Sequence, residues 1–368
     1  MDIQQLVPPH ILEIASYQTG KPLEELQKEF GISEFLHFES NENPLGPSPI
    51  AVAAMQQAIL QANRYPDGVS FALRKALAQK HDVTMAQVLV GSGLDEVISL
   101  LMRAFLTSAD EIVLSQYSFI MYALNAQAIG VKRVIVPAQA NYVHDLDAIA
   151  EAVTEKTKMI FLDNPNNPTG TMVNRAAFDA FLQRVPEHVI VVTDEAYDDY
   201  VEAEDFPQTL SYLKQGRWLA LLKTFSKIYG LAGLRIGYCL APEALIEVVN
   251  RIRPPYNVNL IAQAAALAAL TDTEHVQRSR EVNLQGKRYL YRAFEEIGLP
   301  YIPTQGNFIL IDCQRDAATI AQKLLRSGVI VRPVKGYGLP QHLRITIGTQ
   351  AQNERLVATL RQALQKSV

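Results

Sequence analysis

Between residues 87 and 222 the chain alternates two hydrophobic patterns. Short apolar runs at 87–90, 111–114, 131–136, 159–163, 189–193 and 218–222 have the length and composition of buried strands. Between them, apolar positions recur at three- and four-residue spacing in a stretch that ends at Phe105, then in 119–128, 146–152 and Arg175–Arg184, which predicts helices. Strands alternating with helices fold into an open, mostly parallel sheet covered by helices on both faces, an α/β architecture. Upstream, 50–62 and Phe71–His81 have a helical pattern, the second with Leu73 and Leu77 on one face, and Pro22 can open a short helix ending at Phe30. After Pro242 the pattern changes. Residues 260–297 predict a long helical region, 307–312, 329–333 and 343–348 predict strands, 317–327 a helix, and a last helix ends the chain. This is a smaller α+β portion. The expected division is an arm over 1–45, a large domain over 46–250 and a small domain over 251–368, with the arm packed on the small domain.

Composition narrows the class. Of 368 residues, 48% are hydrophobic and 20% charged, which suits a folded globular chain rather than a disordered one. A net charge of −4 argues against a nucleic-acid or anionic-membrane partner. The two cysteines, Cys239 and Cys313, have no metal-ligand spacing and suit a reducing compartment, so a cytoplasmic location and no metal are expected. Residues 1–5 lack the basic and apolar regions of a signal peptide, and the apolar run 261–270, interrupted by Gln263, is too short to span a bilayer.

The candidate chemistry sits where strands are predicted to end. In parallel sheets of this kind ligands bind at the carboxyl ends of the strands. The strand at 218–222 runs into Lys-Thr-Phe-Ser-Lys-Ile-Tyr-Gly-Leu-Ala-Gly-Leu-Arg over 223–235. A lysine amine such as that of Lys227 can form a Schiff base with an aldehyde, while Thr224, Ser226 and Arg235 suit a phosphate. Pyridoxal phosphate carries both groups. Gly91-Ser92-Gly93 links a strand to a helix N-terminus, where free N–H groups attract an anion. Glu96 stands where a dinucleotide fingerprint needs a third glycine, so the turn is either a phosphate site or only a tight turn. Asp194 ends an apolar strand, as the partner of a pyridinium nitrogen or as a helix N-cap. Tyr197 and Asn167 could reach the phenolic oxygen of the same ring, and Tyr117 could stack on its face. Arg344, between Leu343 and Ile345, is either an outward-facing arginine or a clamp for a substrate carboxylate. The Asn41-Glu-Asn43-Pro-Leu-Gly-Pro47 segment, dense in Asn, Gly and Pro, is irregular and reads as a loop or a crossing between domains.

Taken together, the stretch around Lys227, Asn164-Pro-Asn-Asn-Pro-Thr-Gly, Asp194-Glu-Ala-Tyr and Leu-Arg344-Ile-Thr-Ile-Gly resemble fold-type I pyridoxal-phosphate aminotransferases. Tyr17-x-x-Gly-Lys-Pro, Asn41-Glu-Asn-Pro-x-Gly-Pro and Asn63-Arg-Tyr-Pro narrow the resemblance to the histidinol-phosphate aminotransferase family. The resemblance implies that Lys227 is the Schiff-base lysine and proton shuttle. It implies Asp194 as ring-nitrogen partner, Tyr197 and Asn167 as ligands of the ring oxygen, and Tyr117 as stacking ring. Thr224, Ser226, Arg235 and the backbone of Gly93, Leu94 and Asp95 would hold the phosphate, although the family usually has Ser, Ala or Thr where Leu94 stands. It further implies a homodimer in which Tyr65 reaches the partner's site, Arg344 as the site for the carboxylate of glutamate or 2-oxoglutarate, and Tyr17, Asn43 and Arg332 around histidinol phosphate. Aromatic amino acids are the alternative substrates, and decarboxylation or nicotinamide chemistry are more distant readings.

Overall fold

The computed structural model describes residues 3–14 and 23–365. The strands are β1 (Leu36–Phe38), β2 (Val88–Gly91), β3 (Glu111–Ser115), β4 (Lys132–Val136), β5 (Thr157–Asp163), β6 (Ile190–Asp194), β7 (Leu219–Thr224), β8 (Gly237–Leu240), β9 (Tyr301–Ile302), β10 (Phe308–Asp312), β11 (Val329–Pro333) and β12 (His342–Thr346). They form a seven-stranded sheet in the order β2-β8-β7-β6-β5-β3-β4 and a five-stranded sheet in the order β1-β11-β12-β10-β9.

The large sheet is parallel except at β8, which runs antiparallel to both β2 and β7. Two reversals cancel, so β2 runs the same way as β7, and Gly91 lies on the same rim as Thr224. Side chains alternate between faces along each strand. Val88, Val90, Ile160, Leu162, Leu219 and Leu221 enter one core, while Leu89, Met159, Phe161, Ala220 and Leu222 enter the other. Both faces are apolar because both are covered by helices, which explains the unbroken hydrophobic runs in the sequence.

The small sheet has its own core. Ile309, Ile311, Val329, Val331, Leu343 and Ile345 pack against Leu290 and Phe294 of the helix Thr273–Glu296 and against Leu356, Val357 and Leu360 of the helix Gln350–Leu364. β1, part of the expected arm, joins this sheet beside β11.

Several elements differ from the pattern-based expectation. The helical region 260–297 is two helices, Leu260–Ala269 and Thr273–Glu296, divided where the Asp272 side chain caps the second by accepting from His275 N at 3.0 Å. β1, β8 and β9 have three, four and two residues, too short for the pattern to predict, and β8 also follows a loop dense in glycine. No described helix is long and apolar enough to cross a membrane, and no group of described residues has the make-up of a metal site.

Candidate active site

The carboxyl ends of β2, β7, β6, β5 and β3 line one rim, and each delivers a polar group. β6 delivers Asp194, buried to 5% exposure. Its Oδ2 accepts from Tyr122 Oη at 2.8 Å and its Oδ1 from Ala196 N at 3.1 Å. Burial pushes its carboxyl up to about 7, with nearby Asp163 and Asp95 acting the same way and the two donors opposing. Among the described residues no ion pair includes Asp194. A buried acid with only neutral donors has room for a cation.

β7 leads to Lys227, whose Nζ donates to the Ser40 carbonyl at 2.9 Å and lies 5.7 Å from the centre of the Tyr197 ring. Burial, then the Arg344 charge, bring its amine down to about 7, with Arg235 assisting and Glu42 and Asp194 opposing. An amine with that value is part neutral near pH 7, and the neutral form is the nucleophile and base.

At the β2 end, Gly93 caps the helix Leu94–Phe105 with φ +79°. A side chain there would begin 2.6 Å from Arg235 Nη2, so only glycine lets that guanidinium lie over the helix N-terminus. Arg235 also approaches Asp95 Oδ2 at 3.4 Å. Thr224 Oγ1 accepts from Ser226 N at 3.0 Å, which shapes the turn after β7. The helix dipole, its free N–H groups, two hydroxyls and a guanidinium make a cradle for a dianion. Leu94 takes no part through its side chain. It packs on β8, where a Cβ at Gly237 would come within 2.9 Å of Leu94 Cδ2. Only its backbone amide is placed to take part in such a cradle.

At β5, the Asp163 Oδ2 ties the following loop together by accepting from Asn166 Nδ2 and Asn167 N, each at 2.9 Å. Asn167 Oδ1 accepts from Arg344 Nη1 at 2.5 Å, which turns its oxygen to the arginine and leaves Nδ2 as the donor. Arg344 Nη2 donates to the Glu39 carbonyl at 2.6 Å, and its guanidinium lies 5.5 Å from the Phe308 ring. Arg344 faces inward from β12, which settles the orientation the sequence left open. Arg332 lies opposite it in the β11–β12 register and donates from Nε to the same Glu39 carbonyl at 3.4 Å. Tyr117, just past β3, leans on Tyr142 with ring centres 5.5 Å apart.

Tyr197 Oη accepts from Asn41 Nδ2 at 3.0 Å, and burial raises its phenol to about 12, which keeps it a hydrogen-bond donor at neutral pH. Asn41 is held by three further contacts, with Thr346 Oγ1 and Asn307 Nδ2 among its partners, in a left-handed conformation at φ +54°. Of the two asparagines in that segment, then, Asn41 faces the site. Asn43, expected at the substrate, spends its side chain on Ile228 O and Ser279 Oγ, both at 2.8 Å, and on Leu45 N at 3.0 Å. It fastens the 41–47 crossing to the Lys227 loop. Tyr65 is 82% exposed and stacked on Tyr256. Tyr17 falls outside the described residues. Sequence reading missed Tyr122 and the carbonyls of Glu39 and Ser40. A tyrosine inside an amphipathic helix gives no sign of its partner, and carbonyls leave no residue-type signal.

The geometry agrees with what other proteins look like. Residues 33–360 match the family model described as aminotransferase class I and II. The histidinol-phosphate aminotransferase of Moorella thermoacetica is 49% identical over 96% of this chain and 92% of its own length. That of Akkermansia muciniphila is 45% identical over 99% of this chain and all of its own. In structure, the Sinorhizobium meliloti histidinol-phosphate aminotransferase in complex with pyridoxal-5'-phosphate superposes with a TM-score of 0.89 at 27% identity, covering 97% of each chain. Thermus thermophilus aspartate aminotransferase with maleate gives 0.79 at 25% identity, over 93% of this chain and 92% of that one. With a family model spanning nearly its whole length and relatives this near in sequence, the chain belongs to the class I and II aminotransferases, on their histidinol-phosphate aminotransferase branch.

Proposed function

We propose that this chain is a pyridoxal-phosphate-dependent aminotransferase that exchanges the amino group between histidinol phosphate and 2-oxoglutarate, giving imidazole-acetol phosphate and glutamate. The observation that carries the reading is a pair of unlike groups on one rim: the Asp194 carboxylate with neutral donors only, and the Lys227 amine brought close to neutrality. A protonated pyridine nitrogen is the cation that Asp194 lacks, and the cradle of Gly93, Leu94 and Asp95 amides, Thr224, Ser226 and Arg235 suits the cofactor's phosphate. When bound, pyridoxal phosphate supplies an aldehyde that condenses with amines and a ring that draws electrons from the substrate Cα.

The remaining work belongs to the protein. Asp194 holds the proton on the ring nitrogen. With the cofactor bound, Tyr197 and Asn167 would donate to the ring oxygen, and Tyr117 would cover one ring face. Nζ of Lys227 takes the proton from the substrate Cα and holds it for return. Arg344, fixed by Asn167 and Glu39, clamps the carboxylate of glutamate or 2-oxoglutarate in two-point geometry. Arg332 places a second guanidinium beside the first, and we assign it, with Tyr17, to histidinol phosphate, Arg332 at the phosphate.

The dimer belongs to the same reading. Ile59, Leu60, Val69, Phe71 and Tyr256 are exposed apolar side chains near Tyr65 in a soluble-type fold, and such a patch suits a second copy of this chain. From it Tyr65 would reach the partner's phosphate cradle. The location we propose is the cytoplasm. We also set the boundary of the small domain near Thr273 rather than at 250, because Ala262, Ala265, Ala266 and Ala269 pack in the core of the large sheet.

Borohydride reduction of the enzyme with its cofactor, followed by peptide mapping, tests the anchor: a label at Lys227 is expected, and its absence there would falsify the cofactor assignment. Comparing kcat/KM for histidinol phosphate and phenylalanine tests the substrate, and a preference for phenylalanine transfers the enzyme to the aromatic amino acids.

A further inference from the structure

Tyr122 is fully buried in the helix Ile120–Ala128, and its phenol is confined by two rings. It stacks on Phe161 with centres 5.0 Å apart and planes at 26°, and meets Phe119 edge-on at 5.7 Å. Phe161 belongs to β5 and carries no chemistry of its own, so these contacts serve to aim the hydroxyl. It points to Asp194 Oδ2 at 2.8 Å, while Ala196 N occupies Oδ1 at 3.1 Å. Each carboxylate oxygen thus has one fixed donor and spare acceptor capacity.

We infer that Tyr122 is the positioning residue of Asp194: its hydroxyl holds the carboxylate ionised and fixed in rotation, and so decides how firmly the shared proton stays on the ring nitrogen of the bound cofactor. The inference rests on the cofactor reading above. A donor to a carboxylate makes it a weaker base. With the hydroxyl removed, Asp194 draws the shared proton toward itself, the ring becomes less electron-poor, and the amine linked to it becomes easier to protonate. The other charged groups acting on Asp194 are Asp163 and Asp95, and Asp194 in turn acts on Lys227 and Tyr197. None of them is altered by a Tyr122→Phe change, which keeps the stacked ring.

The test is a pH titration of the visible absorption of the enzyme with its cofactor, beside cofactor binding to the stripped protein. In Tyr122→Phe the titration midpoint is expected to rise by about one unit and the cofactor Kd by about tenfold, the size of one lost hydrogen bond to a charged group. The kcat should fall by about tenfold with KM for the amino donor within about twofold. Phe119→Leu disturbs the same ring but spares the hydroxyl, and should keep the wild-type midpoint. An unchanged midpoint and Kd in Tyr122→Phe overturn the inference. In an Asp194→Asn background the Phe change should add nothing further, whereas an equal loss in both backgrounds marks a packing role and overturns it. If Tyr122→Phe alone fails to fold, the double variant decides. Recovery of folding, with no carboxylate left short of a donor, supports the inference, and continued failure overturns it. A wild-type enzyme without any visible band overturns the cofactor reading itself, and this inference with it.

Discussion

Asp194 and Lys227 are both held near pH 7 in the cofactor-free protein, from opposite directions. The sign of the consequence differs. Asp194 has its folded value raised, so between its ordinary carboxylate range and about pH 7 the folded state binds more protons than the unfolded one. Stability therefore falls as pH rises through that window. Asp194→Asn removes the buried charge. Relative to wild type, the cofactor-free variant should gain stability at pH 8, up to roughly 4 kcal/mol, and nothing at pH 4. Thermal melts of both stripped proteins at the two pH values check this, and a difference independent of pH would reject it. Lys227 acts the other way: its folded value is depressed, so its contribution rises with pH above about 7. Arg332 gives a second prediction. Arg332→Ala should raise KM for histidinol phosphate by about tenfold or more while leaving KM for glutamate within about threefold, because only one of the two carries a phosphate. Equal effects on both would reassign it to the shared carboxylate site. The placement of Lys227, Asp194 and Asn167 on one rim could be read because each ends or closely follows an apolar strand run, and that of Arg344 because it stands inside one. That of Asn43 could not, since Asn41 and Asn43 share one short motif and only the backbone turn at Asn41 decides which enters the site.

At the scale of elements, the loops around Lys227 depend on close approaches that only glycine permits. Gly230 has φ +67°, and a Cβ there would come 2.2 Å from the Gly46 carbonyl oxygen. Gly230 is where the Lys227 loop meets the 41–47 crossing, the segment that brings Ser40 to Lys227 and Asn41 to Tyr197. Gly230→Ala should therefore separate the two loops, lowering stability by roughly 2 kcal/mol and kcat by about tenfold. Denaturant melts and steady-state kinetics of the variant check it, and a fully active Gly230→Ala rejects it. The alternation of strands and helices was readable from the sequence for a related reason: a sheet buried on both faces writes long apolar runs, and β3, β5, β6 and β7 do so. β1 and β8 carry three and four residues and take their strand form from neighbours, so local pattern could not announce them. The break at Asp272 was hidden because both flanking segments are helical and one cap residue divides them.

For the whole molecule the open question is which subunit Tyr65 serves. Tyr65 is 82% exposed and Leu60 76%, and a lone chain gains nothing by holding such groups in water. If this face closes on a second copy, Leu60→Glu places a charge in the contact, and sedimentation should show a monomer with weakened cofactor retention. Subunit mixing then separates the two assignments of Tyr65. Lys227→Ala and Tyr65→Ala should each have little activity alone. In a mixed dimer, one of the two sites combines the intact lysine of one subunit with the intact tyrosine of the other. Random pairing makes half of the dimers mixed, so about a quarter of all sites should recover. If Tyr65 serves its own subunit, every site in the mixture lacks one of the two groups, and no activity returns. Recovery near a quarter therefore requires both a shared site and an exchange of subunits, and it cannot arise from an interface that merely stabilises each chain.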